Sequence, residues 1–289
     1  MKYKRITFIL IIASIIILAG CTKLHKDKIQ GNSLNRDEKV KDEIGNSEET
    51  SFNEVDYSKE FGGINGGAVF YYSEKNQYDV YQMELMNKQV SPFSTFKIVS
   101  TLMGLEQRIV TTIESTMEYD GTIYSREEWN KDIQLKEAFQ TSCVWYYKKL
   151  ISLLNKDYVE GVLKKLEYGN CDISVWDEKG HNDFWLSSSL KISPIEQVEV
   201  LEKIFAKEND FEEYNIELLK EIMFVENKNN NLIYGKTGSG IEKNAWFVGF
   251  IENKERIFFA VMIEDENQSL AGNKAKEIAL NIIANNYIE

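Results

Sequence analysis

The sequence predicts an α+β fold, in which an antiparallel sheet built from the N- and C-terminal parts of the chain is flanked by helices and a helical lobe is inserted between those parts. Strand-like apolar and aromatic segments cluster near both ends of the domain. The middle has helical periodicity and contains a strong helix start, Ser193-Pro194-Ile195-Glu196. We therefore expect a sheet lobe over about 57–93 and 228–289 and a helical lobe over about 94–227.

The expected elements follow the chain in order. A β-hairpin covers 66–81, and three later strands cover 232–235, 245–251 and 257–263. The expected helices cover 94–107, 135–154 with a break near 140–142, 158–166, 194–207, 216–224 and 275–283.

The N-terminal segment has the features of an export signal. A basic start is followed by an apolar run from Ile6 to Leu18 and by Leu18-Ala19-Gly20-Cys21. This pattern resembles a bacterial lipoprotein signal over residues 1–20, which implies cleavage before Cys21 and lipid attachment to it. An uncleaved anchor helix is the alternative, although the run is shorter than the roughly 20 residues that span a bilayer. We expect an exported protein, lipid-anchored to the outer face of the bacterial cytoplasmic membrane and partly released.

Composition narrows the possible partners and chemistry. Residues 21–56 are charged and polar without apolar periodicity, so we expect a flexible tether before a catalytic domain at 57–289. A net charge of −12 argues against nucleic acid as a partner. Only His25 and His181 occur, which makes a histidine-based zinc site or a Ser-His-Asp triad hard to build, and we expect no metal. No obligate protein partner is implied.

The candidate chemistry centres on Ser94 and Lys97. Residues three apart share a helix face, so the amine is expected beside the hydroxyl. The shortage of histidine leaves lysine or a carboxylate as the base for a serine nucleophile. The spacing alone is weak, because Ser188 and Lys191 repeat it. Three further motifs follow in order and occur once each: Ser142-Cys143-Val144, Tyr168-Gly169-Asn170 and Lys236-Thr237-Gly238.

Together these motifs resemble the serine β-lactamase and penicillin-binding superfamily, and specifically the class D (oxacillinase-type) β-lactamases. Val144 stands where class A enzymes and most penicillin-binding proteins carry Asn. The class D features also include Pro92-x-Ser94-Thr95-Phe96-Lys97, Tyr168-Gly169-Asn170 and Phe184-Trp185-Leu186. The resemblance covers residue 57 to the C-terminus. It implies hydrolysis of β-lactam antibiotics (penicillins, cephalosporins or carbapenems) through a Ser94 acyl-enzyme.

The resemblance also implies how the base works. Lys97, carboxylated on its amine by carbon dioxide or bicarbonate and with no other cofactor, would be the general base for acylation and deacylation. Apolar surroundings from Phe96, Val144 and Trp185 would favour the neutral amine that reacts. The Trp185 indole N–H would donate to the resulting anion.

The remaining roles are implied in the same way. Ser142 would pass a proton between Ser94 and the leaving lactam nitrogen, and the backbone N–H groups of Ser94 and Ser239 would form the oxyanion hole. Substrate would bind along a strand edge formed by Lys236, Thr237, Gly238 and Ser239. The Tyr168-Gly169-Asn170 motif is expected to be a supporting loop.

One departure from the family concerns the substrate carboxylate. Many class D enzymes carry an arginine on or just before the C-terminal helix for this group, whereas residues 269–275 contain none. Lys274 is the candidate replacement, although an ammonium lacks the bidentate fork of arginine. Otherwise carboxylate binding rests on Thr237 and Ser239.

Three alternatives stay open from the sequence. A β-lactam sensor would share the fold and motifs but acylate without turnover. A peptidoglycan transpeptidase or carboxypeptidase is disfavoured by Val144. A surface lipoprotein that binds a ligand without catalysis is the third. Cys143 and Cys171 are expected to be small buried hydrophobes, with a disulfide as the alternative.

Overall fold

A mixed sheet with helices on both faces organises the molecule. The computed structural model describes residues 50–177, 182–206, 209–240, 243–264 and 271–288. These residues fall within one compact unit, Ser47–Glu289. The expected signal at 1–20, Cys21, His181 and residues 269–270 lie outside the described ranges. Within those ranges, no helix has the length and apolarity that crossing a bilayer requires.

The strands form one large sheet and one small one. The strands are β1 Ser51–Glu54, β2 Asn65–Tyr72, β3 Gln77–Tyr81, β4 Thr116–Met117, β5 Ile133–Gln134, β6 Phe224–Lys228, β7 Asn231–Ser239, β8 Asn244–Glu252 and β9 Arg256–Glu264. Among the described residues, the large sheet has seven strands in the order β1-β3-β2-β9-β8-β7-β6. Its neighbours are antiparallel, except that β1 runs parallel to β3. Strands β4 and β5 pair separately.

The helices follow the predicted order. They are α1 Ser58–Phe61, α2 Met83–Met86, α3 Lys97–Glu106, α4 Leu135–Gln140, α5 Val144–Ser152, α6 Lys156–Leu166, α7 Pro194–Phe205, α8 Glu213–Met223 and α9 Ala271–Asn286. The Ser193 side chain and the Glu196 carboxylate form the expected capping box at the start of α7. The break between α4 and α5 lies at Thr141–Cys143, next to the predicted 140–142.

The central strands are apolar on both faces because both faces are covered. Along β8, Trp246 and Val248 join the core beneath the helical lobe, whereas Ala245 and Phe247 join the core beneath α9. Side chains alternate between the two faces of a strand, so one strand contributes to both cores. This arrangement explains the nearly continuous apolar runs of β8 and β9 and leaves β7 at the boundary between the lobes.

The predicted α+β fold class is confirmed, but several elements differ from the prediction. The first strand begins at Ser51, inside the segment expected to be tether. Its exposed residues show no apolar pattern, because β1 is an edge strand held by backbone pairing with β3. The predicted helix at 94–107 begins as a 3₁₀ turn, Phe93–Phe96, before α3. Strand β6, which continues directly from α8, was not predicted, and neither were the short elements α1, α2, β4 and β5.

The Tyr168-Gly169-Asn170 motif forms a loop that ties two segments of the helical lobe together. The Asn170 side chain accepts from Lys191 N at 3.0 Å and donates to Ser189 O at 2.8 Å. Gly169 has φ +50°, and a Cβ there would lie 1.9 Å from the Lys191 carbonyl oxygen. Only glycine fits this close approach.

We expect Gly169→Ala to lower the free energy of unfolding by about 2–4 kcal/mol, because the new methyl group forces two backbone segments apart. Urea denaturation measures the change. Gly161→Ala in α6 is the matched control, since a Cβ there meets nothing within 4 Å. That control should gain about 0.5–1 kcal/mol from helix propensity. A Gly169→Ala protein as stable as wild type would contradict the packing argument.

Candidate active site

The candidate nucleophile lies on the 3₁₀ turn at Phe93–Phe96. The Lys97 Nζ donates to Ser94 Oγ at 3.0 Å. In a 3₁₀ turn, side chains three residues apart eclipse each other, which brings these two groups together. The Thr95 hydroxyl donates to Pro92 O at 2.7 Å and accepts from Gln197 Nε2 at 2.9 Å, so the turn is held from both sides.

Lys97 is buried completely among aromatic rings. Its Nζ lies 4.9 Å from the ring centre of Tyr147 and 4.6 Å from that of Trp185. Desolvation lowers the pKa of Lys97 well below its usual value, and the nearby Lys236 ammonium lowers it further. The neutral amine is therefore favoured beside the Ser94 hydroxyl.

A second buried lysine holds the serine of the middle motif. Lys236 Nζ, on β7, donates to Ser142 Oγ at 2.6 Å and to Thr237 O at 3.0 Å. Burial lowers the pKa of Lys236 to about 7, and the Arg126 and Lys276 cations act in the same direction. The Ser142–Lys236 hydrogen bond joins the helical lobe to the sheet lobe.

Strand β7 packs directly against the nucleophile turn. A Cβ on Gly238 would lie 2.9 Å from both Pro92 O and the Thr95 Cγ2 methyl. The absence of a side chain at Gly238 therefore sets how near Ser239 comes to the turn that carries Ser94. Thr237 is half-buried and Ser239 is exposed at the end of the strand.

Backbone strain accompanies two of the site residues. Phe93 has φ +49° and Ser142 has φ +56°, which are left-handed conformations unusual for non-glycine residues. Phe93 N donates to Trp185 O at 3.0 Å, and the Phe93 ring occupies the space that a Cβ on Gly240 would need. Packing therefore maintains the strained turn that presents Ser94.

The structure brings most of the predicted site residues together. Ser94, Lys97 and Trp185 form one cluster, and Ser142 and Lys236 form the adjoining pair. Val144 is the first residue of α5 and is half-buried against the same core.

Tyr147 was missed by sequence reasoning, although its place one helical turn after Val144 puts it on the same helix face. The Lys274 ammonium forms a salt bridge with the Glu277 carboxylate at 2.9 Å. The thiols of Cys143 and Cys171 are both free.

These features match the motif set of the penicillin-binding proteins and class D β-lactamases. A serine on a turn, a buried lysine one turn later, a Ser-x-Val motif and a Lys-Thr-Gly strand converge between a sheet and a helical lobe. Residues 64–284 match the family described as the penicillin binding protein transpeptidase domain. The chain belongs to this family.

Relatives of two functional kinds are similar to the chain. It is 39% identical over 235 residues to the regulatory protein BlaR1 of Bacillus licheniformis, a match that covers 79% of this chain and 38% of BlaR1. The C-terminal domain of the B. licheniformis BlaR penicillin receptor superposes with a TM-score of 0.77 at 36% identity, covering 83% of this chain and 98% of that domain. A class D β-lactamase from Bacillus subtilis gives a TM-score of 0.73 at 33% identity, covering 80% and 94%.

The buried amine of Lys97 should make stability depend on pH. Folding lowers the pKa of Lys97 below its ordinary 10.5, so the unfolded chain binds more protons between the two values. In carbon dioxide-free buffer, the stability of wild type relative to Lys97→Met should therefore rise with pH, by up to about 1.4 kcal/mol per pH unit in that window. Urea denaturation between about pH 7 and 10 measures this change.

Lys59→Met is the matched control, because Lys59 is exposed on α1 and its removal changes the charge without altering the core. Its stability difference from wild type should stay nearly flat. A flat difference for Lys97→Met as well would mean that Lys97 is not desolvated.

Proposed function

We propose that the protein hydrolyses β-lactam antibiotics through an acyl-enzyme on Ser94. The observation that carries the proposal is the 3.0 Å contact between the Ser94 hydroxyl and the fully buried Lys97 amine. Because the pKa of Lys97 is lowered, the amine can be neutral and can react with carbon dioxide to form the carbamate that would accept the Ser94 proton. A nucleophile and its base are thus adjacent without a histidine.

The neighbouring groups support the other parts of acylation. As Ser94 Oγ attacks the lactam carbonyl carbon, the N–H groups of Ser94 and Ser239 would stabilise the charge on the carbonyl oxygen. The tight packing of Gly238 on the nucleophile turn supports this pairing. Ser142, held by Lys236, would deliver a proton to the lactam nitrogen as the C–N bond breaks.

The surroundings of Lys97 fit carboxylation of its amine. Trp185 Nε1 is buried and has no hydrogen-bond partner in the part of the chain that the structure describes. Leaving such a donor unpaired costs about 1–3 kcal/mol, and an anionic group on Lys97 would accept its hydrogen bond. The carbamate formed with carbon dioxide would supply an anionic oxygen base for acylation and for the water that deacylates Ser94.

A sensor that acylates without turnover is the second candidate. The similarity to BlaR1 favours it, and the chain spans 38% of that relative's length. The two candidates share Ser94 acylation and differ in the release of the acyl group. Val144 favours turnover, because an apolar residue leaves room for the carbamate that deacylation needs.

We also propose that the protein is exported and lipid-anchored through Cys21, on the strength of the Leu18-Ala19-Gly20-Cys21 pattern.

Turnover separates the candidates. The full chain in detergent is mixed with a penicillin and a chromogenic cephalosporin, and hydrolysis and intact mass are followed together. We expect sustained hydrolysis by wild type, and neither hydrolysis nor adduct for Ser94→Ala. A stable adduct on Ser94 without hydrolysis would indicate a sensor or a transpeptidase, and no adduct would refute the acylation proposal. The same mass spectrum of protein from a bacterial host tests lipid on Cys21.

Carboxylation of Lys97 has its own signature. With ¹³C-bicarbonate, wild type should show a carbamate carbon signal by NMR that Lys97→Met lacks. Trp185→Phe retains the ring but removes the N–H, so the bicarbonate concentration for half-maximal activity should rise about tenfold or more. A wild-type spectrum without the signal, at a pH where the enzyme is active, would refute the carbamate.

A further inference from the structure

A polar cavity lies between the start of α6 and the loop that leads from the Tyr168-Gly169-Asn170 motif to Trp185. We call it the α6 cavity. It measures about 370 Å³, within the range of small-molecule sites. Its described lining includes Asn155, Lys156 and Asp157 from α6 and Trp176, Asp177 and Asn182 from the loop. The described lining residues include none of the candidate active-site groups, so the cavity is a separate feature of the helical lobe.

The side-chain amide of Asn182 leaves a buried donor unpaired at the α6 cavity. Asn182 is 1% exposed. Its Oδ1 accepts a hydrogen bond from the Asp177 backbone N–H at 2.8 Å, which fixes which end of the amide carries the oxygen. Its Nδ2 has no partner in the part of the chain that the structure describes. Because an unmade buried hydrogen bond is unfavourable, Nδ2 points to a ligand that brings an acceptor.

The hydrogen-bonding groups of the cavity favour a neutral hydroxyl group over a charged ligand. An ammonium has no acceptor for Asn182 Nδ2, and an anionic ligand would be repelled by the Asp157 and Asp177 carboxylates. The Asn155 side chain already caps the first turn of α6, so the helix start does not need an anion. A hydroxyl oxygen accepts one hydrogen bond and donates another, and it can therefore join the amide to a carboxylate.

Trp176 adds an aromatic side chain whose orientation is fixed. Its ring stacks on the Phe184 ring, with centroids 5.9 Å apart and an interplanar angle of 24°. Phe184 is completely buried, and Trp176 N donates to Ile173 O at 2.9 Å. The indole is therefore in place before a ligand arrives, which lowers the cost of ordering the site on binding. It offers an apolar surface together with one N–H donor.

We propose that the α6 cavity binds one neutral sugar ring, either as a free sugar or as part of a polysaccharide. A sugar hydroxyl would accept from Asn182 Nδ2 and donate to the Asp157 carboxylate. The C–H groups of the ring would pack against Trp176. Binding there is independent of acylation at Ser94, because the two sites share no described residue.

NMR titration of the full-length protein with methyl β-D-glucopyranoside tests the site, in a detergent that has no sugar head group. The Asn182 side-chain amide signals and the Trp176 indole N–H signal should shift and saturate, with a dissociation constant of about 1–10 mM. Trp176→Phe lacks the indole signal and so identifies it. Glucosamine, a cation, and glucuronate, an anion, should bind at least about tenfold more weakly.

Two substitutions to aspartate separate the role of the donor from the role of charge. Asn182→Asp retains the oxygen that accepts from Asp177 N but loses the NH₂ group, and it should weaken binding about tenfold or more. Asn155→Asp is the matched control, because it adds the same charge to the same cavity and aspartate caps a helix as well as asparagine does. It should change the dissociation constant less than about twofold. Urea denaturation checks that both variants are folded.

The outcomes that overturn the proposal are specific. No saturating shift of the Asn182 and Trp176 signals up to about 0.1 M glucoside would refute it in wild type, without reliance on any variant. Equal binding of glucuronate or of the neutral amide N-acetylglycinamide would also refute it, as would equal weakening by both aspartate variants. A glucose tetrasaccharide that binds more tightly than the glucoside would indicate a polysaccharide ligand, and equal binding would indicate a free sugar; either supports the site.

Discussion

The burial of one amine is the constraint on which the site depends. Lys97 begins α3, and the residues from Lys97 to Leu105 are all buried. A lysine at that position must give up its hydration, and Tyr147 and Trp185 offer aromatic faces rather than carboxylates in return. The same desolvation that makes this position unfavourable for an ammonium favours the neutral amine beside Ser94. The burial of Lys97 therefore accounts both for the unfavourable desolvation of its ammonium and for the neutral amine that the proposed chemistry needs.

The rest of the fold maintains this arrangement from two sides. The sheet lobe contributes β7, whose Gly238 lets the strand touch the nucleophile turn, and the helical lobe contributes Ser142. Both Phe93 and Ser142 are held in left-handed backbone conformations. Each such residue costs on the order of 1 kcal/mol or more, and it persists because the packing around it leaves no alternative. The strained conformations of Phe93 and Ser142 occur beside the candidate site, whereas the two apolar cores, whose packing offsets the cost of this strain, lie on the two faces of the sheet.

Much of this could be predicted from the sequence, for identifiable reasons. Short motifs carry their own geometry, so the Lys97 amine was correctly expected beside the Ser94 hydroxyl, and the capping box at Ser193 marked the start of α7. The hydrogen bond between Lys236 and Ser142 was not predicted, because it joins two segments that are far apart in the chain. Strand β1 was missed because backbone pairing, which leaves no apolar pattern, holds it.

The order of strands has a consequence for how the domain meets its surroundings. The chain enters the domain at β1, which forms one edge of the sheet, whereas the reactive serine borders β7 near the other edge. Five strand spacings separate β1 from β7, or about 24 Å at roughly 4.8 Å each. The N-terminal end of the described chain and the turn that carries Ser94 therefore lie toward opposite edges of the sheet.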